Sequence, residues 1–163
     1  MIEQVRIAIY ITGALTFFDI VFRIRGKLAG DDNEKENKLP SWYSKIVEIF
    51  KMLLLVVLFS PINDELYFEG LDQMMILVLA IDQVLYISEM AKNEYTTGED
   101  ASFSKIWESN AELFEFGNRL FLCLYLLYIG WFINGPVEIL NMQYVLFVSS
   151  IIYAFQNIVY MLN

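Results

Sequence analysis

The apolar positions of this chain fall into long runs rather than alternating patterns. From Leu120 to Val137 the chain reads LFLCLYLLYIGWFINGPV without a charge, and from Ile139 to Asn163 there is again no charged residue. A bilayer-crossing helix needs about 20 mostly apolar residues, and both runs meet that length. Between them Asn134, Gly135 and Pro136 form a turn signal, since proline cannot continue a helix. The pattern predicts an antiparallel pair of helices joined by a tight turn.

Three further runs carry a few charges each. Ile7 to Phe22 contains Asp19. The run after Pro40 ends at Pro61, with Lys45, Glu48 and Lys51 in its near half. Leu71 to Ser88 contains Asp82. A helix of a soluble bundle shows an apolar stripe opposite a polar face, and these runs have too few charges for such a face. The expected fold is an all-α integral membrane protein, one polytopic bundle of four or five transmembrane helices. The spans are expected at 6–22, 43–61, 70–88, 113–133 and 138–161, with short extracytoplasmic turns and two polar loops at 23–42 and 89–112.

Composition agrees with the pattern. Hydrophobic residues make up 57% of the 163 residues and charged residues 19%, with a mean hydropathy of +0.47. Soluble domains hold about 45–50% apolar residues even with glycine counted, and a small body has little interior in which to hide more. The N-terminus lacks the basic region and small-residue cleavage site of a signal peptide.

Cytoplasmic loops are enriched in Lys and Arg. The segment from Arg23 to Lys45 holds six such residues, and the 62–70 connection holds none. This predicts an outside N-terminus and an inside C-terminus for five spans, in a bacterial cytoplasmic (inner) membrane. In that frame Trp42 and Tyr43 anchor the inner interface and Trp131 the outer one. Lys45 and Lys51 are expected to snorkel to the headgroups, with Glu48 three positions from each and close enough to pair.

Charges and amides inside the spans are the candidate functional residues. Asp82 lies near the middle of its run, Asp19 near the inner end of the first, and Arg119 opens the fourth with Glu115 one turn before it. Charged groups in hydrocarbon cost about 2.5–3.5 kcal/mol each on insertion scales, so they face inward and find partners. The expected arrangement is structural, with Asp19 or Asp82 paired with Arg119. The competing reading is an aqueous or proton path. Gln83 and Tyr86 share a helical face with Asp82, and Asn118, Gln143, Gln156 and Asn157 add interhelical hydrogen-bonding groups. Gly13 with Thr16, and Ser150 with Ala154, are small-residue patches that permit close helix contact, within one chain or between copies. Asp64, Glu65, Glu69 and Asp72 form an acidic connection that an ordinary solvated loop accounts for.

Several function classes recede. Histidine is absent and Cys123 is alone, which removes the commonest general base and any thiolate cluster. No phosphate loop, GxSxG or metal-ligand motif is present, and Asp19 and Asp82, formally a carboxylate pair, are expected at different depths. With a net charge of −9 and no basic patch, nucleic acid is not an expected partner. The chain is therefore read as non-enzymatic, with no catalytic, cofactor-binding or metal-binding residues and no cofactor. The expected partners are the lipid bilayer, further copies of the chain in a homo-oligomer, and a soluble cytoplasmic protein engaged through loops 23–42 and 89–112. A membrane sensor or scaffold fits this best, and an oligomeric ion channel or membrane-perturbing effector built around Asp82 and Arg119 is the alternative. The richness in Ile, Asn, Lys, Glu, Phe and Tyr is that of AT-rich coding, a style familiar among small membrane proteins of bacterial defence and immunity systems.

Overall fold

A computed structural model describes residues 3–28, 39–62, 66–96, 110–132, 135–137 and 142–162. Among them are five α-helices: α1 (Glu3–Leu28), α2 (Ser41–Leu58), α3 (Leu71–Thr96), α4 (Asn110–Leu127) and α5 (Gln143–Leu162). A π-helical turn, Tyr128–Phe132, extends α4, and two short strands, β1 (Leu66–Phe68) and β2 (Gly135–Val137), pair antiparallel. The centres of the polar loops, 29–38 and 97–109, lie outside the described residues, as do Asp64, Glu65 and Asn134.

Local signals explain the helix limits. Glu3 opens α1 and Arg25 and Lys27 close it, the charge order that the helix dipole favours. Pro40, at φ −55° and ψ 144°, stands just before α2, and a proline there presets the entry into the first turn. Phe59 and Ser60 bond back to the carbonyls of Leu55 and Val57 as α2 ends, one residue before Pro61. Gly70 takes φ +51°, a left-handed conformation that glycine adopts without a Cβ clash. This turns the chain from β1 into α3. Asp72 in the first turn of α3 accepts the Glu69 amide at 3.4 Å.

The helices form a closed ring in the order α1, α3, α4, α5, α2 and back to α1. Contacts fix their directions. Arg6 of α1 meets Asp72 of α3 at 3.2 Å, and Gln143 of α5 donates to the Ser60 carbonyl at the end of α2 at 3.0 Å. Lys27 at the other end of α1 pairs with Glu89 of α3. The ring thus has a strand end, where β1 and β2 lie, and a loop end, where α1 and α3 finish and α2 and α4 begin.

Glycines set two of the approaches. A Cβ on Gly13 would lie 2.7 Å from the Met75 sulfur, so α1 and α3 meet through a missing side chain. A Cβ on Gly130 would lie 2.8 Å from Leu77 Cγ, seating the π turn on α3. Thr12, Thr16 and Ser150 are buried, and Ala154 packs against the core. Both small-residue patches are thus occupied inside one chain.

Three helices, α1, α3 over Leu71–Glu89, and α5, are long and apolar enough to cross a membrane. The helices α2 and α4 are each 18 residues long and carry three charges apiece within that length, Lys45, Glu48 and Lys51 on one and Glu112, Glu115 and Arg119 on the other. The elements differ from the sequence expectation in three places. α1 runs on to Leu28 and α3 to Thr96, so both polar loops begin later than expected. Gly135 and Pro136 lie in β2 rather than in a tight turn, and α5 begins only at Gln143. The physical reason is that β2 finds backbone partners in β1, with Tyr67 opposite Pro136, a pairing that no local signal announces.

Candidate functional site

The interior of the ring is divided. Toward the strand end it is mainly apolar, with Ile9, Leu55, Leu58, Phe59, Ile76, Leu79, Leu126, Ile129 and Leu146 all buried and the buried Asp72 paired with Arg6 at its edge. Toward the loop end it holds a continuous network of charged and hydrogen-bonding side chains from all five helices.

The first part joins α1, α2 and α3. Asp19 and Arg23, four apart on α1, meet at 2.6 Å, and Ser44 of α2 donates to the other Asp19 oxygen at 3.3 Å. The same guanidinium stands 3.5 Å from Asp82 of α3. Lys51 of α2, only 3% exposed, bonds Asp82 at 2.6 Å and also pairs with Glu48, three residues earlier on its own helix. A lysine ammonium has three donors and no acceptor, so holding two carboxylates in the interior suits it.

The second part joins α3, α4 and α5. Arg119, 1% exposed, donates to Glu115 at 3.1 Å and to the Asn157 side-chain oxygen at 3.0 Å. Its guanidinium carbon lies 4.1 Å from the Tyr86 ring centroid and 4.9 Å from that of Tyr153. These contacts set the cation against the negative ring faces. Tyr160 donates to Glu115 at 3.1 Å. The two parts are linked by Tyr153, whose hydroxyl donates to Glu48 at 3.2 Å and accepts from Gln83 at 3.3 Å.

Around this polar interior the outside is apolar. Phe17, Phe18, Val21 and Ile24 on α1, Ile46, Ile49 and Phe50 on α2, Ile81 and Val84 on α3, and Phe155, Ile158 and Val159 on α5 are exposed at the same levels as the network. A soluble protein inverts this distribution, because burying ions costs more than burying hydrocarbon.

Four sequence expectations change. Arg119 pairs with neither Asp19 nor Asp82; Glu115, one turn away, reaches it first. Lys51 does not snorkel but turns inward to Asp82. Asp19 and Asp82 do not sit apart in depth, since one guanidinium touches both. Asp72, expected in a solvated loop, lies in the first turn of α3 and is buried against Arg6. Of the amides, Asn118 and Ser149 bond each other across α4 and α5.

The sequence reading missed Arg23, Tyr153 and Tyr160 as members of the network. One signal was available. Asp19–Arg23, Glu48–Lys51 and Glu115–Arg119 are three opposite-charge pairs at spacings of four, three and four, each on one helix face within an otherwise apolar run. The tyrosines gave none, because an aromatic in such a run reads as core or lipid contact.

Among the described residues no group of three or more Cys, Asp or Glu side chains is placed to hold a metal ion. The Cys123 thiol is buried and donates to the Ala80 carbonyl at 3.7 Å. No protein-family model, curated protein or solved structure matches the chain.

Proposed function

We propose that this chain is a non-enzymatic polytopic membrane protein in which all five helices cross the bilayer. It acts as a homo-oligomeric sensor or scaffold that engages a soluble cytoplasmic partner through its two polar loops. The reading is supported above all by the division of the bundle interior. Charges of opposite sign from four helices, tied to α5 through Tyr153, Asn157 and Tyr160, are locked together under an apolar sheath, and the strand-end half, around Leu58, Phe59, Ile76 and Ile129, is mainly apolar. Such an interior suits a part that holds helices in place. The five-span reading draws on the sheath as well. The six charges of α2 and α4 include Glu48, Lys51, Glu115 and Arg119, all committed to the network. On α5 the exposed Tyr144 and Tyr160 are separated by about 24 Å at 1.5 Å per residue, and Trp42 and Trp131 are exposed toward opposite ends. That separation of aromatic anchors approaches the ~30 Å hydrocarbon core. A place in the inner membrane of a bacterium, within a defence or immunity system, is part of the same proposal.

The alternative is an oligomeric channel or membrane-perturbing effector. It is favoured by the side-chain oxygen Gln83 Oε1, buried without a hydrogen bond beside Asp82, whose Oδ1 faces the Arg23 guanidinium at 3.5 Å, polar atoms of the kind that line ion paths.

Affinity purification from the native host in mild detergent, with the mass of the complex, separates the two. A stoichiometric soluble partner is the expected result; a clean homo-oligomer without one favours the channel. Topology has its own check. With Cys123 replaced, a cysteine introduced at Thr97 is expected to stay shielded from an impermeant thiol reagent in intact cells. Labelling there removes one of the first three spans.

A further inference from the structure

At the loop end, between the last turns of α1 and the start of α2, lies a polar cavity of about 220 Å³ lined by Asp19, Phe22, Arg23, Gly26, Lys27, Leu39 and Ser44. We propose that this cavity binds the phosphate of a phospholipid headgroup, held by Arg23 and Lys27 with the acyl chains lying on the apolar sheath.

Four observations carry this. The first is donor capacity. Arg23 presents five N–H groups and Lys27 three; Arg23 directs one hydrogen bond to Asp19 and stands 3.5 Å from Asp82, and Lys27 pairs with Glu89, so both cations still keep donors for a further acceptor. A planar guanidinium beside an ammonium is well suited to a phosphodiester. The second is space. Gly26 is buried and lines the cavity, yet a Cβ built on it meets nothing within 4 Å. The room in front of this backbone is therefore open, where a side chain would ordinarily fill it. The third is the first turn of α2, which adjoins the cavity through Leu39 and Ser44 and has no side-chain cap. The positive dipole end of this helix adds to the field of the two cations. The fourth is placement. Trp42 and Leu28 are exposed beside the cavity, and Ile24 and Ile46 are exposed one turn deeper. An interfacial tryptophan marks headgroup level, and basic pockets between helices at that level recognise phospholipid headgroups. Asp19 takes hydrogen bonds from both Arg23 and Ser44, and so orients the guanidinium at the cavity wall.

The inference rests on the membrane reading, and the two fail separately. A chain released from membranes by alkaline carbonate loses that reading. A chain that stays in the membrane but lacks lipid selectivity loses only this one.

The test uses the full chain in detergent with phosphatidylglycerol, diacylglycerol and sodium phosphate as probes, read by native mass spectrometry and by the thermal unfolding midpoint. Phosphatidylglycerol is expected to be retained and to raise the midpoint, and diacylglycerol, which has the same chains and no phosphate, is expected to do neither. Gly26→Leu fills the cavity without removing a charge and favours the helix. It is expected to keep the wild-type midpoint without lipid and to retain phosphatidylglycerol at least tenfold less. Lys27→Gln is expected to weaken retention about tenfold. Displacement of the lipid by millimolar sodium phosphate supports a phosphate site and points to a soluble phosphate as its ligand. Equal retention of diacylglycerol and phosphatidylglycerol, or undiminished retention by a folded Gly26→Leu variant, overturns the proposal.

Discussion

Lys51→Met is expected to be the most damaging single change in the protein, and Asp82→Asn far milder. The network holds four carboxylates, Asp19, Glu48, Asp82 and Glu115, against three cations, Arg23, Lys51 and Arg119. Lys51 is the shared partner of two of the acids. Removing it leaves Asp82 and Glu48 facing each other in the interior, and breaking a buried pair in this way costs about 3–5 kcal/mol. Methionine matches the lysine stem in length but supplies no donor. Asp82→Asn acts in the opposite direction. It removes the surplus negative charge, leaves Lys51 with Glu48 and Arg23 with Asp19, and keeps a side-chain oxygen at the same place. A loss of about 1–2 kcal/mol is expected, in the range for a hydrogen bond weakened but not abolished. Unfolding in mixed micelles, followed by tryptophan fluorescence, measures both. If Asp82→Asn proves as damaging as Lys51→Met, the charge balance drawn here is wrong. Asp82 would then have a role that its ion pair does not explain.

The second large effect is at Arg119. Its guanidinium bridges two helices and lies between two rings, so the geometry of the head group carries as much as its charge. Arg119→Leu leaves Glu115 buried with only Tyr160 as donor and is expected to cost about 3–5 kcal/mol. Arg119→Lys keeps the charge yet cannot reach Glu115 and Asn157 together or stack between Tyr86 and Tyr153. About 1.5–3 kcal/mol is expected to be lost, the value of a hydrogen bond to a charged group. Glu115→Gln, tested beside it, is expected to be milder than either. A lysine variant with wild-type stability would show that the ring contacts and the Asn157 bond contribute nothing, and that Arg119 serves only as a counter-ion.

Both predictions depend on how the helices close around the network. The sequence determined the material of this protein: long helices, an apolar exterior and charges that had to be buried. The runs around Met52–Phe59, Leu71–Ser88 and Leu120–Leu127 could not be anything but helix in a chain so poor in polar faces, and the helix limits at Pro40, Pro61 and Gly70 were written locally. The three same-helix ion pairs were also readable, because their spacing depends only on the pitch of one helix. Partners across helices were not readable. Whether Asp82 meets Arg119 or Lys51 is decided by which helices are neighbours, and the ring order α1, α3, α4, α5, α2 follows from packing summed over every helix face. Arg119 illustrates the difference. Its intrahelical partner Glu115 was visible at a spacing of four, but Asn157 and the rings of Tyr86 and Tyr153 come from elements 33 or more residues away along the chain. The β1–β2 pairing was hidden for the same reason, since three-residue strands carry no period long enough to detect. The sequence alone said that charges would be enclosed; only the tertiary structure decided which of them neutralise one another, because electrostatic pairing falls off over a few ångströms and that proximity is a property of the assembled ring.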